Sequence, residues 1–305
     1  MNKNYVASKV TMQCGSCQTS TLSCASANGR FADEGVRMVN VPDSSGKVFI
    51  PCSALSKKPI KSMNEKKGRI LDQNNLAIAG MVPMSTVDWP GNLCCTLFLQ
   101  GCPWRCTYCH NYEILDPKTP GKVPFSHVVS FLEKRKNLLD GVVFSGGEAT
   151  RQEELLLAIK TVKEMGFKIG LHTAGIYPKK LQKLINYVDW VGIDIKALPE
   201  DYSQVVGRNN SGQKAYESLR IVLDAQVPYE VRLTICPDSV TSDRAFDIAQ
   251  RCFSLGVRNF ALQQARDLGT RDEFVAVAKG WDEQFNRIAT KIDGLNFNSY
   301  EIRVA

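Results

Sequence analysis

From residue 93 onward, short apolar runs of strand length alternate with longer stretches of helical character, the pattern of a parallel sheet with crossover helices. The run LCCTLFL at 93–99 predicts a first strand, and 141–144, 168–171, 188–196, 229–235 and 259–264 predict five more. Residues 125–136, 153–165, 178–187 and 272–291 predict helices, and a short segment at 295–304 closes the fold. Cys94 and Cys95 are adjacent in the first strand and so point to opposite faces, which reads as two core thiols rather than ligands. Six strand–helix repeats suggest an α/β fold, a partial (β/α)6 barrel with its chemistry at the C-terminal strand ends.

The first eighty residues break this pattern. They are thin in aliphatic periodicity and rich in Ser, Asn, Gly and Lys, with short strands expected at 36–41 and 47–50 around a turn at 42–46. The chain is therefore expected to divide into an extension, 1–75, and a barrel, 76–305. Between Lys57 and Arg69 six basic residues stand against one Glu, interrupted by Pro59 and Gly68. A solvated linker is the favoured reading over a docking surface for nucleic acid or an acidic protein, and no aromatic residue interleaves with these charges to stack on bases.

Composition adds limits. With 44% hydrophobic and 23% charged residues the chain can bury one large core or two modest ones. It has no apolar run of eighteen residues, and its start, Met1-Asn2-Lys3-Asn4-Tyr5, lacks the apolar core of a signal peptide; a cytoplasmic protein with no membrane partner is expected. Eleven cysteines in that compartment read as metal ligands or reduced thiols. The net charge is +7, and residues 1–80 carry eleven Lys and Arg against five Asp and Glu, so the basic excess belongs to the extension.

The candidate chemistry centres on Cys102-x3-Cys106-x2-Cys109. Three sulfurs this close along a loop can wrap three corners of a cubane iron–sulfur cluster and leave the fourth iron without a protein ligand. Structural zinc wants four N or S ligands, and His110, abutting Cys109, cannot easily reach the same tetrahedron. In the extension, Cys14-Gly15-Ser16-Cys17 forms a knuckle that Cys24 and Cys52 extend to four sulfurs, for zinc or a second cluster. The alternative there is a small β-rich appendage with free thiols. Beyond the second strand, Gly146 and Gly147 permit close backbone approach to a ligand, and the Glu148 carboxylate can accept from an ammonium group. Asp194 and Lys196 lie two apart and share a strand face, where they need each other or a polar ligand. His172 reads as a packed strand-end histidine.

The three-cysteine spacing, with Tyr108 before the third cysteine, resembles the signature of the radical S-adenosylmethionine superfamily. His110-Asn111 and Val87-Asp88-Trp89-Pro90-Gly91 resemble a narrower group, the activating proteins of anaerobic ribonucleoside-triphosphate reductase, relatives of pyruvate formate-lyase activating enzyme. The resemblance runs from about residue 78 to the C-terminus. It implies one [4Fe–4S] cluster on Cys102, Cys106 and Cys109, and S-adenosyl-L-methionine contacted by Tyr108, Gly146, Gly147, Glu148, Thr173, Asp194, Lys196 and Arg232. Among these, Gly-Gly-Glu would meet the amino group and Asp194 and Lys196 the carboxylate and ribose region; Arg232, read from its own planar fork, would suit the methionine carboxylate, with a surface ion pair as the alternative. Gln263-Gln264-Ala265-Arg266 departs from pyruvate formate-lyase activating enzyme, which carries a histidine there, and this weakens pyruvate formate-lyase as the substrate.

The implied activity is reductive cleavage of S-adenosylmethionine to a 5′-deoxyadenosyl radical that takes hydrogen from a glycine Cα of the reductase. The implied partners are that glycyl-radical enzyme and a low-potential electron donor such as flavodoxin or ferredoxin. Two other readings stay open: a radical enzyme acting on another protein, peptide or small molecule with an auxiliary cluster or zinc site in the extension, and an iron–sulfur electron-transfer adaptor without turnover.

Overall fold

The structure, a computed structural model, describes residues 9–11, 21–23, 71–274 and 280–305. The chain divides into two units, Met1–Lys61 and Ser62–Ala305. In the first, β1 (Lys9–Thr11) pairs antiparallel with β2 (Thr21–Ser23), Lys9 opposite Ser23. The strands expected at 36–41 and 47–50, the basic stretch 57–69, and Cys14, Cys17, Cys24 and Cys52 lie outside the described residues.

The second unit is built on one eight-stranded sheet in the order β10-β9-β8-β7-β6-β5-β4-β3. Its six middle strands are the expected ones: β4 (Cys94–Leu99), β5 (Gly141–Gly146), β6 (Lys168–Thr173), β7 (Trp190–Asp194), β8 (Tyr229–Ile235) and β9 (Asn259–Gln264). All six run parallel. Two edge strands were not expected as such. The first, β3 (Ile78–Ser85), pairs antiparallel with β4, with register shifts between Ile78 and Gly80 and between Val82 and Ser85. It contains Pro83, which cannot donate to a ladder and is tolerated on an edge. The other, β10 (Ser299–Arg303), lies in the closing segment and adds parallel to β9. Since β3 and β10 end the order without pairing to each other, the barrel is open.

Helices cover the outer face. α1 (Phe125–Glu133) buries Phe125, Val128 and Leu132, and α2 (Leu155–Glu164) buries Leu155, Ala158, Ile159 and Val162, in each case one stripe at helical spacing. α3 (Pro178–Leu184) continues as a 3₁₀ turn, Ile185–Tyr187. The chain then adds α4 (Tyr202–Val206), α5 (Ser211–Asp224), α6 (Val240–Asp243) and α7 (Ala245–Ser254), which no single motif announced. The last helix, α8 (Trp281–Asp293), begins well after the expected 272, because Gly280 takes a left-handed φ of 77° that a helix interior does not permit. Among the described residues no helix is long and apolar enough to cross a membrane.

The two-residue strand period sorts side chains by face. Cys95, Leu97, Leu99, Phe144, Leu171, Val191, Ile193, Val231 and Leu233 join the main core under the helices. Their alternates turn inward. There Trp89, Cys94, Val143 and Trp190 form a second, small apolar cluster, with Trp89 and Trp190 stacked at 5.7 Å. Trp89 fits only because two strands carry glycine beneath it. A Cβ on Gly141 would stand 2.8 Å from its ring, and one on Gly170 2.9 Å.

Cys94 and Cys95 thus sit in two different clusters, both fully buried, and the Cys94 thiol donates to Ser85 O at 3.4 Å. Cys94→Ala is expected to cost about 1 kcal/mol by removing packed volume. Urea denaturation checks the loss, and iron bound after anaerobic reconstitution should be unchanged.

Candidate active site

The cysteine loop leaves the end of β4. Gly101, at φ 94°, turns the chain, and the next residues are fixed by main-chain bonds: Gly101 N–H donates to Ile114 O at 2.8 Å and Cys102 N–H to Leu115 O at 3.0 Å. On the far side, Arg105 N–H and Thr107 N–H donate to Val206 O and Val205 O, at the end of α4. Trp104 is buried edge-on against Tyr202 at 5.6 Å. Held from both sides, the loop presents Cys102, Cys106 and Cys109 to one cavity of about 850 Å³.

Burial pushes the Cys102 thiol up to about 12 and the Cys106 thiol up to about 11, the latter against the opposing pull of Lys196. Thiolates here therefore need a cationic centre. Among the described residues no three His, Cys, Asp or Glu side chains converge on a single ion. Three thiols on one loop facing one cavity are a donor set that fits a cubane, whose ligands sit on separate irons. Tyr108 adds a second mark of a ligand site: its hydroxyl is buried beside the cavity with no hydrogen-bond partner among the described residues.

Gly146 and Gly147 line the same cavity, but their lack of side chains serves the chain itself. A Cβ on Gly146 would stand 2.2 Å from Leu99 N, and one on Gly147 2.6 Å from Gly101 O. The tip of β5 is spliced to the root of the cysteine loop, with Gly147 N–H donating to Leu99 O at 2.9 Å and Glu148 N–H to Gly101 O at 3.0 Å. Glu148 differs most from its sequence reading. Its carboxylate does not line the cavity; it is 1% exposed and accepts from Thr150 N–H, Thr150 Oγ1, Thr173 Oγ1 and Ala174 N–H. Burial still pushes its pKa up despite those four donors. Glu148 thus locks the tip of β5 to the end of β6, where Thr173 and Ala174 face the cavity.

Asp194 and Lys196 do meet, Nζ to Oδ2 at 3.0 Å, and both line the cavity. Burial alone would raise Asp194, but Lys196 overrides it and holds the carboxyl below its ordinary range. Lys196 is held well above its own, because Asp194 and its neighbours outweigh desolvation. Its ammonium also lies 5.6 Å from the Tyr108 ring centroid. Arg232 reaches across β7 over Gly192, where a Cβ would stand 2.8 Å from its Cζ. Its Nε donates to Glu230 at 2.8 Å, and its guanidinium stacks over Trp190 at 5.2 Å.

His172 is fixed by three partners. Nε2 lies 2.7 Å from Asp88 O, which only accepts, and 3.1 Å from Arg232 Nη2, which only donates; the shorter contact assigns the proton to Nε2, and Nδ1 then accepts from the Ser145 hydroxyl at 3.0 Å. Sequence reasoning missed much of this inner network. Asp88 accepts from Thr96 Oγ1 at 2.7 Å, and Arg303 forks onto Glu230 with both bonds at 2.9 Å. The alternation of polar residues in 229–235 was the available signal for Glu230; nothing local announced Arg303. Gln263 and Gln264 also line the cavity.

Burial, followed by the charge on Arg232, pushes His172 down to about 3. The unfolded chain binds this proton below about pH 6.5 and the folded chain does not, so the stabilisation is complete above that value and is lost as pH falls toward 3. His172→Gln is expected to flatten the decline in urea midpoint between about pH 7 and pH 4; an unchanged acid limb would show that other groups control it.

Residues 96–252 match the Radical SAM superfamily model. The chain is 28% identical over 202 residues to a Methanocaldococcus jannaschii protein named for glycyl-radical enzyme activation, covering 62% of this chain and 82% of that one. It is 32% identical over 160 residues to the pyruvate formate-lyase-activating enzyme of Clostridium pasteurianum, covering 50% of this chain and 66% of the relative. Among solved structures, Streptococcus suis SuiB bound to S-adenosylmethionine shares the fold at a TM-score of 0.52 and 12% identity, over 68% of this chain and 48% of SuiB. With the family match spanning over half of its length, the chain belongs to the radical SAM superfamily.

Proposed function

We propose that this radical SAM enzyme activates a glycyl-radical enzyme, and that its partner is anaerobic ribonucleoside-triphosphate reductase. Cys102, Cys106 and Cys109 would hold the [4Fe–4S] cluster, with S-adenosylmethionine in the adjoining cavity. When bound, these groups supply one-electron cleavage of a sulfonium carbon–sulfur bond to a 5′-deoxyadenosyl radical.

The chain contributes placement. Asp194 offers a carboxylate, and Lys196 and Arg232 offer cations, for the charged ends of an amino-acid moiety, while Tyr108 brings an unpartnered hydroxyl. Glu148 acts as a positioning residue, holding Thr173 and Ala174.

The observation that carries the protein-substrate reading is the lining of the cavity from both free edges of the sheet. Val87 follows β3 and Val304 follows β10; each lines the cavity, and they are 76% and 63% exposed. These exposed apolar side chains at both sheet edges give a rim where a partner's backbone segment can seat. The reductase is favoured over pyruvate formate-lyase by the 87–91 and 110–111 motifs and by Gln263-Gln264 in the cavity wall. Flavodoxin or ferredoxin would deliver the electron, and the four cysteines of the extension would hold zinc or a second cluster.

Anaerobically reconstituted protein given dithionite and S-adenosylmethionine is expected to form 5′-deoxyadenosine, and co-incubated reductase to gain a glycyl-radical resonance. Absence of the nucleoside would defeat the enzymatic reading; nucleoside without the resonance would defeat the partner. Cys106→Ala should abolish both, whereas Asp194→Asn should keep its iron and bind S-adenosylmethionine more weakly. An iron count of about four per chain means one cubane, and about eight means that the extension holds another.

A further inference from the structure

The outer side of the cysteine loop carries charge that the cavity does not use. Segments 103–110 and 203–210 lie against each other through the bonds from Arg105 and Thr107 to Val206 and Val205. Neither contains Asp or Glu, and each contains one arginine. Arg105 Nη1 donates to Cys102 O at 2.7 Å and Trp104 O at 3.0 Å, and Arg208 Nε to Pro103 O at 3.1 Å. Two guanidiniums thus rest on three consecutive carbonyls of the loop. Both side chains are exposed.

Three arginines of this unit, Arg232, Arg244 and Arg303, each meet a carboxylate at 2.6–3.4 Å, whereas Arg135, Arg151 and Arg258 donate to carbonyls. Among the described residues Arg105 and Arg208 have carbonyl partners and no carboxylate. Of the acidic residues just ahead, Asp201 is taken by Arg244, and Glu200 points to solvent. Beyond residue 80 the chain is almost balanced in charge, so this pair is a local feature rather than part of a general basic surface.

We propose that Arg105 and Arg208 form the docking site for a small acidic electron-carrier protein, which places its prosthetic group against the 102–104 segment. The inference rests on the proposed activity, since reductive cleavage consumes one electron per event. The cavity side is given to cofactor and substrate, so the electron enters through the outer face of the loop. The carrier gives up one electron and is oxidised by one equivalent; no bond forms or breaks at the docking face. Fixed positive charge against an acidic surface speeds encounter and fixes orientation, and it is screened by salt.

The test uses reconstituted full-length protein with flavodoxin as the acidic carrier. Calorimetric Kd values are compared for wild type, R105Q/R208Q and R105K/R208K at low and high salt. Glutamine keeps an N–H donor for the carbonyls and removes the charge; lysine keeps the charge. The glutamine pair is expected to raise Kd about tenfold at low salt and flatten its salt dependence, and the lysine pair to stay near wild type. Flavodoxin-driven 5′-deoxyadenosine should fall in parallel, with dithionite-driven yield unchanged. An unaltered Kd and salt slope in the glutamine pair, or no flavodoxin binding by wild type, overturns the docking site. Failure of wild type with dithionite instead overturns the proposed activity, while the Kd comparison still decides the docking face. If the double variant loses iron, R208Q alone, expected to weaken binding about threefold, decides the matter.

Discussion

The strict two-residue alternation of the parallel strands is the constraint on which the site depends. Leu97, Phe144, Leu171 and Leu233 must face the helices, so Thr96, Ser145, His172 and Arg232 have no choice but to face inward. A slip of one residue in any strand would bury charge beneath a helix and expose leucine to the cavity, so the outer packing enforces the inner chemistry. The polar groups inside then meet one another across strands: Asp194 stands in register with Arg232, and Glu230 bridges Arg232 and Arg303. Buried charge of this kind is costly unless paired, and here each charged group has its partner before any ligand arrives.

A second layer of control comes from main chain rather than side chains. The splice between Gly146-Gly147 and residues 99–102 fixes the cysteine loop to the neighbouring strand tip, and Glu148 carries that order on to Thr173. The cavity-facing residues of three consecutive strands are therefore tied together by groups that themselves face elsewhere. Substitution at Glu148 would act through position rather than through lost contact.

Much of this was legible in the sequence because its causes are local. Cysteine spacing marks the loop, continuous apolar runs mark the parallel strands, and the two-residue spacing anticipates the Asp194–Lys196 pair, although β7 ends at Asp194 and Lys196 lies just beyond it. The six middle strands lie at the expected places. What stayed hidden depends on distant partners. β3 holds Gly80 and Pro83, which blur alternation, and it exists because β4 offers a free edge. Arg303 acquires meaning only when β10 pairs with β9 and brings it to Glu230. A Gly-Gly-Glu sequence looks the same whether its carboxylate faces a ligand or turns toward Thr150 and Thr173. Likewise, the start of α8 hinges on a single left-handed glycine that composition does not reveal.

The stacked Trp89 and Trp190, set over Gly141 and Gly170, give the strand interior a dry floor behind His172 and Arg232. A chamber floored in this way is closed at that end, and its rim carries the exposed Val87 and Val304. The proposed protein substrate, seated on that rim, would serve as reactant and stopper at once. Quenching by solvent or dioxygen would be suppressed by the arrival of the target itself, without any dedicated lid.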